Sequence, residues 1–199
     1  FLMRHGQTFA NVSGELDTAD PGLELTQLGH TQAGAAARAL ADEQLQAVYV
    51  SSRIRTHQTA APTSAARTLD PVQLAGLEEI QAGEFEMRKD HDAVHGYIST
   101  VAEWIQGRLD VRMPGAETGE EFLHRYDSAV EKIVTTGHES ALIVSHGAAL
   151  RTWINTRMLP SPDAPPPTDP LHNTALIVLE GDPYDGWRLV SWHGDPVGG

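Results

Sequence analysis

The chain has 199 residues, of which 40% are hydrophobic and 21% are charged, and these ordinary fractions exclude a wholly disordered protein. Cysteine is absent, which excludes a disulfide scaffold, a cysteine-ligated zinc site and a cysteine nucleophile. The net charge of −13 argues against binding to nucleic acid or to an anionic membrane, because such proteins normally carry an excess of positive charge.

The length is that of one domain, and we expect a single domain over residues 1–199 with a lid at about residues 85–115. No apolar segment approaches the ~20 residues of a membrane span, and no signal peptide is visible. We therefore expect a cytoplasmic protein. Phe1 falls inside a predicted strand, so we expect further residues upstream of it.

Short apolar segments alternate with longer segments of helical period along the chain. The predicted strands are Phe1–Met3, Ala47–Val50, Ala141–Ser145, Ala175–Leu179 and Trp187–Trp192. The predicted helices are Gln27–Asp42, Arg53–Ala66 and Thr118–His138. This alternation is typical of α/β proteins. We predict a three-layer α/β/α fold with a mostly parallel central sheet, a C-terminal hairpin and a helical lid insertion.

Helix ends and irregular segments complete this prediction. Ser52 is a candidate N-cap for the second helix, and Thr118 with Glu121 forms a capping box at the start of the third. Gly83–Gly115 interrupts the alternation and is the predicted lid. Leu159–Pro170 contains six of the 12 prolines and is predicted to be a stiff, exposed connector.

Two predicted strands are each followed by a histidine and a glycine. The first is followed by Arg4-His5-Gly6, and a later one by His146-Gly147. Open α/β sheets bind ligands at the carboxyl ends of their strands, where glycine lets the backbone approach a ligand closely. We therefore expect a functional site at this edge. The alternative is a pair of structural histidines at two strand ends.

The chain resembles the histidine phosphatase superfamily, also called the phosphoglycerate-mutase-like family, over nearly its whole length. The segments that carry the resemblance occur in the family's order. They are Arg4-His5-Gly6-Gln7-Thr8-Phe9-Ala10-Asn11, Leu25–Ala33, Ser51–Ala60, Leu77–Glu86, Gly115-Ala116-Glu117-Thr118, Val144-Ser145-His146-Gly147 and Asn173. Each motif is short, and together in this order they are highly specific.

The resemblance implies roles for two residues that composition and spacing do not single out. The family's Ser-x-x-x-Arg-x-x-x-Thr-Ala stretch matches residues 51–60, which makes Arg55 a second phosphate-binding arginine beside Arg4. The family's Leu-x-Glu register selects Glu79 rather than Glu78 as the catalytic acid.

His5 is the predicted nucleophile, because a neutral imidazole nitrogen accepts a phosphoryl group near neutral pH. Its other ring nitrogen must then donate to a fixed acceptor, such as a backbone carbonyl. A phosphoryl group in transit spreads negative charge over three oxygens. The predicted donors to these oxygens are Arg4, Asn11, Arg55, His146 when protonated, and the backbone N–H near Gly147. Because these cations take the electrostatic place of Mg²⁺, we expect neither a metal nor another cofactor.

Glu79 is predicted to protonate the leaving alkoxide and then to act as a base on the water that hydrolyses the phosphohistidine. The predicted function is therefore a metal-independent phosphatase of phosphomonoesters. A mutase that uses the same phosphohistidine and a non-catalytic phosphate-binding module stay open as alternatives. We expect a small-molecule phosphomonoester substrate and neither nucleic acid nor membrane as a partner, and we leave a homodimer open.

Several residues stand apart from the family pattern. Met87 and Arg53 replace the glycine and the leucine that the family usually has at these positions. His91 and His95 have the four-residue spacing of metal ligands on a helix, but a solvated helix face is the favoured interpretation. Trp104 lies in the predicted lid, where we expect it to meet the non-phosphate end of the substrate.

Overall fold

The computed structural model describes residues 1–159 and 171–198. Its strands are β1 (Leu2–Arg4), β2 (Ala47–Val50), β3 (Val72–Gln73), β4 (Ala141–Ser145), β5 (Leu176–Asp182) and β6 (Gly186–His193). Its α-helices are α1 (Phe9–Ser13), α2 (Gln27–Ala39), α3 (Ile54–Arg67), α4 (His91–Ile105), α5 (Gly119–Thr135) and α6 (Gly147–Arg157). A 3₁₀ turn covers Gly83–Phe85.

The strands form one mixed sheet in the order β3-β2-β4-β1-β5-β6. The first four strands in this order are parallel to one another. β5 runs antiparallel to β1, and β6 runs antiparallel to β5. The α/β class with a mostly parallel sheet and the C-terminal hairpin at one end of it are therefore confirmed.

Helices cover both faces of the sheet. In β4, Ile143 packs into a core formed with aromatic residues of α4, α5 and α6, and these are Trp104, Phe122, Tyr126 and Trp153. Its neighbours Leu142 and Val144 pack on the other face, with Ala36 of α2 and Ala60 of α3. This alternation follows from the two-residue period of a strand, and it produces the predicted three layers.

Most of the predicted elements are present. The predicted strands Ala47–Val50 and Ala141–Ser145 coincide with β2 and β4, and the three predicted helices correspond to α2, α3 and α5. The capping box of Thr118 and Glu121 is formed at the start of α5. The predicted Ser52 cap is wrong. Arg53 occupies the N-cap of α3 without a side-chain cap, and the Ser52 hydroxyl accepts a hydrogen bond from the Arg53 guanidinium instead.

The structure adds elements that the sequence analysis did not predict, namely α1, β3 and α6. The predicted lid segment contains α4, whereas the proline-rich connector lies, after Leu159, outside the described residues. Among the helices of the described residues, none is long and apolar enough to cross a membrane.

Candidate active site

The two histidine motifs meet because β1 and β4 are neighbouring parallel strands. Arg4 lies opposite Ser145 in their register, so His5 and His146 follow at the same edge of the sheet. The His5 backbone N–H donates to the Ser145 carbonyl at 3.0 Å. The centroids of the two imidazole rings are 5.3 Å apart. The predicted convergence of the two strand ends is therefore present in the fold.

The His5 ring is buried and held in one tautomer. Its Nδ1 lies 2.8 Å from the Gly6 carbonyl oxygen, which can only accept, so Nδ1 carries the proton. Nε2 is left with its lone pair. Burial, followed by the positive charges of Arg55 and Arg4, lowers the pKa of His5 well below its ordinary value. The ring is thus neutral near pH 7, as a nitrogen nucleophile must be.

The turn after His5 fits only a glycine. A Cβ atom on Gly6 would lie 2.7 Å from the carbonyl oxygen of Gly29 in α2. The Gly6 N–H donates to the Thr59 hydroxyl of α3 at 2.9 Å. The segment that carries His5 is therefore fixed against both helices of one layer.

Arg4 and Arg55 bring two positive charges to the cleft. Arg55 is 2% exposed, and its Nη1 and Nη2 donate to the Asp17 carboxylate at 3.2 Å and to the Asp17 carbonyl at 3.0 Å. Arg4 donates through Nη1 to the Leu171 carbonyl. Among the described residues, neither the Arg4 Nε nor the Arg55 Nε, both buried, has a hydrogen-bond partner. Such unpaired donors are suited to an anion.

His146 lies behind this cleft, at the N-cap of α6, and is completely buried. Its Nε2 is 2.8 Å from the Ser51 hydroxyl, and its buried Nδ1 has no partner within residues 1–159 and 171–198. Burial, then Arg55 and His5, lower the pKa of His146 well below its ordinary value. The protonated His146 that the prediction allowed for is therefore disfavoured at neutral pH.

Glu79 is bound to the N-terminus of α6. Its Oε1 accepts from the Ala149 N–H at 2.7 Å and from its neighbour Ile80 at 3.0 Å, and its Oε2 accepts from the Ala148 N–H at 3.2 Å. The first-turn donors next to Gly147 thus hold the carboxylate, although we predicted that they would bind phosphate. Gly147 itself packs against the Arg4 guanidinium, where a Cβ atom would lie 3.1 Å from Nε.

The orientation of Asn11 is set by its neighbours. Its Oδ1 accepts from the Thr8 N–H at 3.1 Å and from the Asn173 amide at 2.9 Å. Asn173 also donates to the His5 carbonyl at 3.0 Å. Because Oδ1 is occupied, the Asn11 amide N–H₂ is the group available to an anion.

Five of the predicted site residues line one cleft of about 150 Å³, and these are Arg4, His5, Asn11, Arg55 and Glu79. Asp17 and Tyr97 line it as well, and sequence reasoning missed both. Asp17 carries no motif, and only the fold brings it against Arg55. Tyr97 lies on the buried face of α4, which the His-, Asp- and Arg-rich composition of the lid segment concealed.

Trp104 does not meet the cleft, so that expectation is wrong. The side chain is fully buried, donates to the Val111 carbonyl at 2.7 Å and stacks on Phe122 with ring centroids 5.9 Å apart. It is a core residue because its position on α4 faces Phe122 of α5 and the core around it. Tyr97, further toward the N-terminus of the same helix, reaches the cleft instead.

The remaining candidates lie outside the cleft. His91 and His95 stack on each other on the exposed surface of α4 with centroids 5.7 Å apart. Within the part of the chain that the structure describes, no group of three or more His, Asp or Glu side chains is arranged to hold a metal ion. Arg53 turns toward the loop after α1 and donates to the Thr18 carbonyl at 2.8 Å and to Asp20 at 2.9 Å.

Known proteins are similar to this chain in sequence and in fold. A PE-PGRS family protein of Mycobacterium tuberculosis is 37% identical over 99% of this chain, and the chain spans 36% of that protein. An adenosylcobalamin/alpha-ribazole phosphatase of Salmonella typhimurium is 28% identical over 82% of this chain and 81% of its own length.

Among solved structures, a mycobacterial glucosyl-3-phosphoglycerate phosphatase superposes with a TM-score of 0.79 at 22% identity, covering 98% of this chain and 97% of its own. The alpha-ribazole phosphatase of Shigella flexneri gives 0.76 at 23% identity, with 98% and 96% covered. These likenesses concern the fold. The sequence profile of the histidine phosphatase superfamily, branch 1, matches residues 1–195, and the chain belongs to this family.

Proposed function

We propose that this protein hydrolyses small phosphomonoesters without a metal, through a phosphohistidine on His5. The observation that carries the proposal is the tautomer of His5, since the hydrogen bond from Nδ1 to the Gly6 carbonyl leaves Nε2 as a neutral nucleophile. Membership of the family supports the same activity.

The first step forms a bond between the His5 Nε2 and phosphorus and breaks the bond from phosphorus to the ester oxygen. The guanidinium groups of Arg4 and Arg55, with the Asn11 amide, stabilise the negative charge on the transferring group. Glu79, in its acid form, donates its proton to the leaving alkoxide. In the second step water attacks phosphorus, Glu79 accepts a proton from it, and the electron pair of the broken P–N bond returns to Nε2.

The proposal predicts that His5→Ala abolishes turnover while the protein stays folded. A short incubation of the wild type with substrate should leave an acid-labile phosphate on His5, detected by mass spectrometry of peptides kept at alkaline pH. The assay is run with a chelator, because the arginines and not a metal supply the positive charge. His124→Ala is the matched control, since His124 is exposed on α5. Activity retained by His5→Ala would exclude the mechanism.

A mutase is the second candidate, and the lid segment argues against it. A bisphosphorylated intermediate needs cations beyond the catalytic phosphate site. The cations of residues 85–114 are each paired with a carboxylate, as Arg88–Asp90, Lys89–Glu15, Arg108–Glu103 and Arg112–Glu121. We therefore propose that water is the usual acceptor of the phosphoryl group.

A further inference from the structure

The loop that carries Glu79 has no regular secondary structure, and side chains hold its backbone. Residues 76–81 lie between β3 and the 3₁₀ turn. Each of the five carbonyls from Gly76 to Ile80 accepts a hydrogen bond from a side chain. The Ser145 hydroxyl donates to the Leu77 carbonyl at 2.8 Å, and the Tyr97 hydroxyl donates to the Ile80 carbonyl at 3.0 Å. The other three carbonyls accept their hydrogen bonds from one residue, Arg125.

Arg125 lies on α5, and its guanidinium spans the loop. Nη1 donates to the carbonyls of Gly76 and Glu78, both at 2.9 Å, and Nη2 donates to the carbonyl of Glu79 at 3.0 Å. The guanidinium also lies over the Phe122 ring, 5.0 Å from its centroid, which fixes its plane. One side chain therefore sets the position of the residue that precedes Glu79 and of Glu79 itself.

Glu117 completes this arrangement. Its Oε2 accepts from the Arg125 Nε and its Oε1 from Nη2, both at 2.7 Å, in a bidentate ion pair. Its Oε1 also accepts from the backbone N–H of Gln81, two residues after Glu79, at 3.3 Å. Glu117 is 8% exposed, so solvent screens the pair little. The pair thus holds the loop on both sides of Glu79.

The loop is also packed directly on the helix that carries Arg125. Gly76 has φ of +107°, and a Cβ atom there would lie 2.4 Å from the Arg125 carbonyl oxygen. Leu77 and Ile80 are completely buried. The backbone of Glu79 is fixed by these contacts, while its carboxylate oxygens are fixed by the N-terminus of α6.

We propose that Arg125 and Glu117 are positioning residues that hold the Glu79 carboxyl where it can protonate the leaving group. The proposal rests on the function proposed for Glu79. Neither residue lines the cleft, and both act through the acid loop. A displacement of about 1 Å in a catalytic group can lower a rate by about 10²-fold, so loss of these contacts should affect proton donation strongly.

The test is the dependence of activity on the leaving group. A nitrophenolate departs without a proton, whereas an alkoxide needs one. Arg125→Met, which keeps the apolar stem but removes all the donors, should lower kcat for an alkyl phosphate by about 10²-fold and kcat for p-nitrophenyl phosphate by less than about threefold. Glu79→Gln should show the same selectivity, and adding Arg125→Met to it should lower the alkyl-to-aryl ratio no further.

Arg157→Met is the matched control. Arg157, on α6, forms a bidentate ion pair with Asp127, which lies on α5 as Arg125 does. The pair is away from the acid loop, so its loss should leave the ratio unchanged. If Arg125→Met does not fold, as judged by its thermal melting curve, Glu117→Gln carries the test, because it keeps the shape of the side chain and removes its charge.

Two outcomes would overturn the proposal in distinguishable ways. If folded Arg125→Met loses alkyl and aryl activity equally, or loses neither, while Glu79→Gln remains selective, then Arg125 is structural and the function proposed for Glu79 stands. If Glu79→Gln shows no selectivity, the acid has been misassigned, and the positioning role falls with it.

Discussion

Two imidazoles at the edge of the sheet, those of His5 and His146, are held neutral by their surroundings. His5 and His146 are both buried, and both lie near the positive charge of Arg55. Neutrality of the His5 ring suits the role of nucleophile that we propose for it. It also means that the cationic character of the cleft comes from the guanidinium groups of Arg4 and Arg55, which stay charged at every physiological pH.

The same burial makes the stability of the fold depend on pH. The pKa values of His5 and His146 are lowered in the folded state, so below about pH 6.5 the unfolded chain binds protons that the folded chain does not. The free energy of unfolding should therefore fall as the pH is lowered from 7 to 5. The limit is about 1.4 kcal/mol per pH unit for each histidine.

Chemical denaturation at several pH values between 5 and 7.5 measures this dependence. His146→Ala should flatten the dependence relative to the wild type, whatever its effect on stability at pH 7.5. His124→Ala removes an exposed histidine and should keep the full slope. If the free energy of unfolding depends on pH equally in the wild type and in His146→Ala, protonation of the buried His146 ring does not destabilise the fold.

Met87 is another residue whose effect on stability is visible only in the structure. Its φ of +58° lies in the left-handed region, which glycine adopts most readily. In this region a residue with a Cβ atom destabilises the folded state by roughly 1 kcal/mol or more. Met87 is 46% exposed, so packing of its side chain offsets little of this strain. Met87→Gly should raise the free energy of unfolding by up to about 1 kcal/mol, although the greater freedom of glycine in the unfolded chain offsets part of this gain.

The matched variants are Met87→Ala, which keeps a Cβ atom and should give no gain, and Met87→Val, whose branched Cβ should destabilise the protein. All three are compared by denaturant midpoint. A loss of stability in Met87→Gly would mean that the strain at this position is smaller than the entropy that glycine adds to the unfolded chain.

At the level of helices and strands, local sequence predicted those elements whose signals are local. β2 and β4 are continuous buried apolar segments, and α5 begins at a capping box, so their positions follow from pattern alone. α6 was missed because it begins inside the His146-Gly147 motif, and no side-chain cap marks its N-terminus. β3 has two residues, too few for any two-residue period.

The site could be predicted only in part for a related reason. His5 and His146 follow strand ends, and the pairing of parallel strands brings such ends together. Arg55 and Glu79 were identified through the resemblance to the family, since a buried arginine early in α3 and an acid in an irregular loop have no local signal. Asp17 depends on a contact between segments 38 residues apart, which no pattern within either segment encodes.

Over the whole molecule, negative charge dominates outside the cleft. The net charge is −13, and the cations of residues 85–114 are already paired with carboxylates. A strongly anionic substrate therefore gains little long-range attraction from this protein. Among the described residues that line the cleft, the guanidinium groups are those of Arg4 and Arg55, which suits a ligand whose charge is confined to one phosphate.

This charge distribution predicts the outcome of the assay that separates a phosphatase from a mutase. With 3-phosphoglycerate as substrate and 2,3-bisphosphoglycerate present, we expect release of inorganic phosphate to exceed formation of 2-phosphoglycerate. A mutase must retain a bisphosphorylated intermediate while it turns over in the site, and residues 85–114 carry one more acidic than basic side chain. ³¹P NMR follows both products in one sample, and His5→Ala is the blank for each. Rapid formation of 2-phosphoglycerate with little free phosphate would contradict this expectation and would make the protein a mutase.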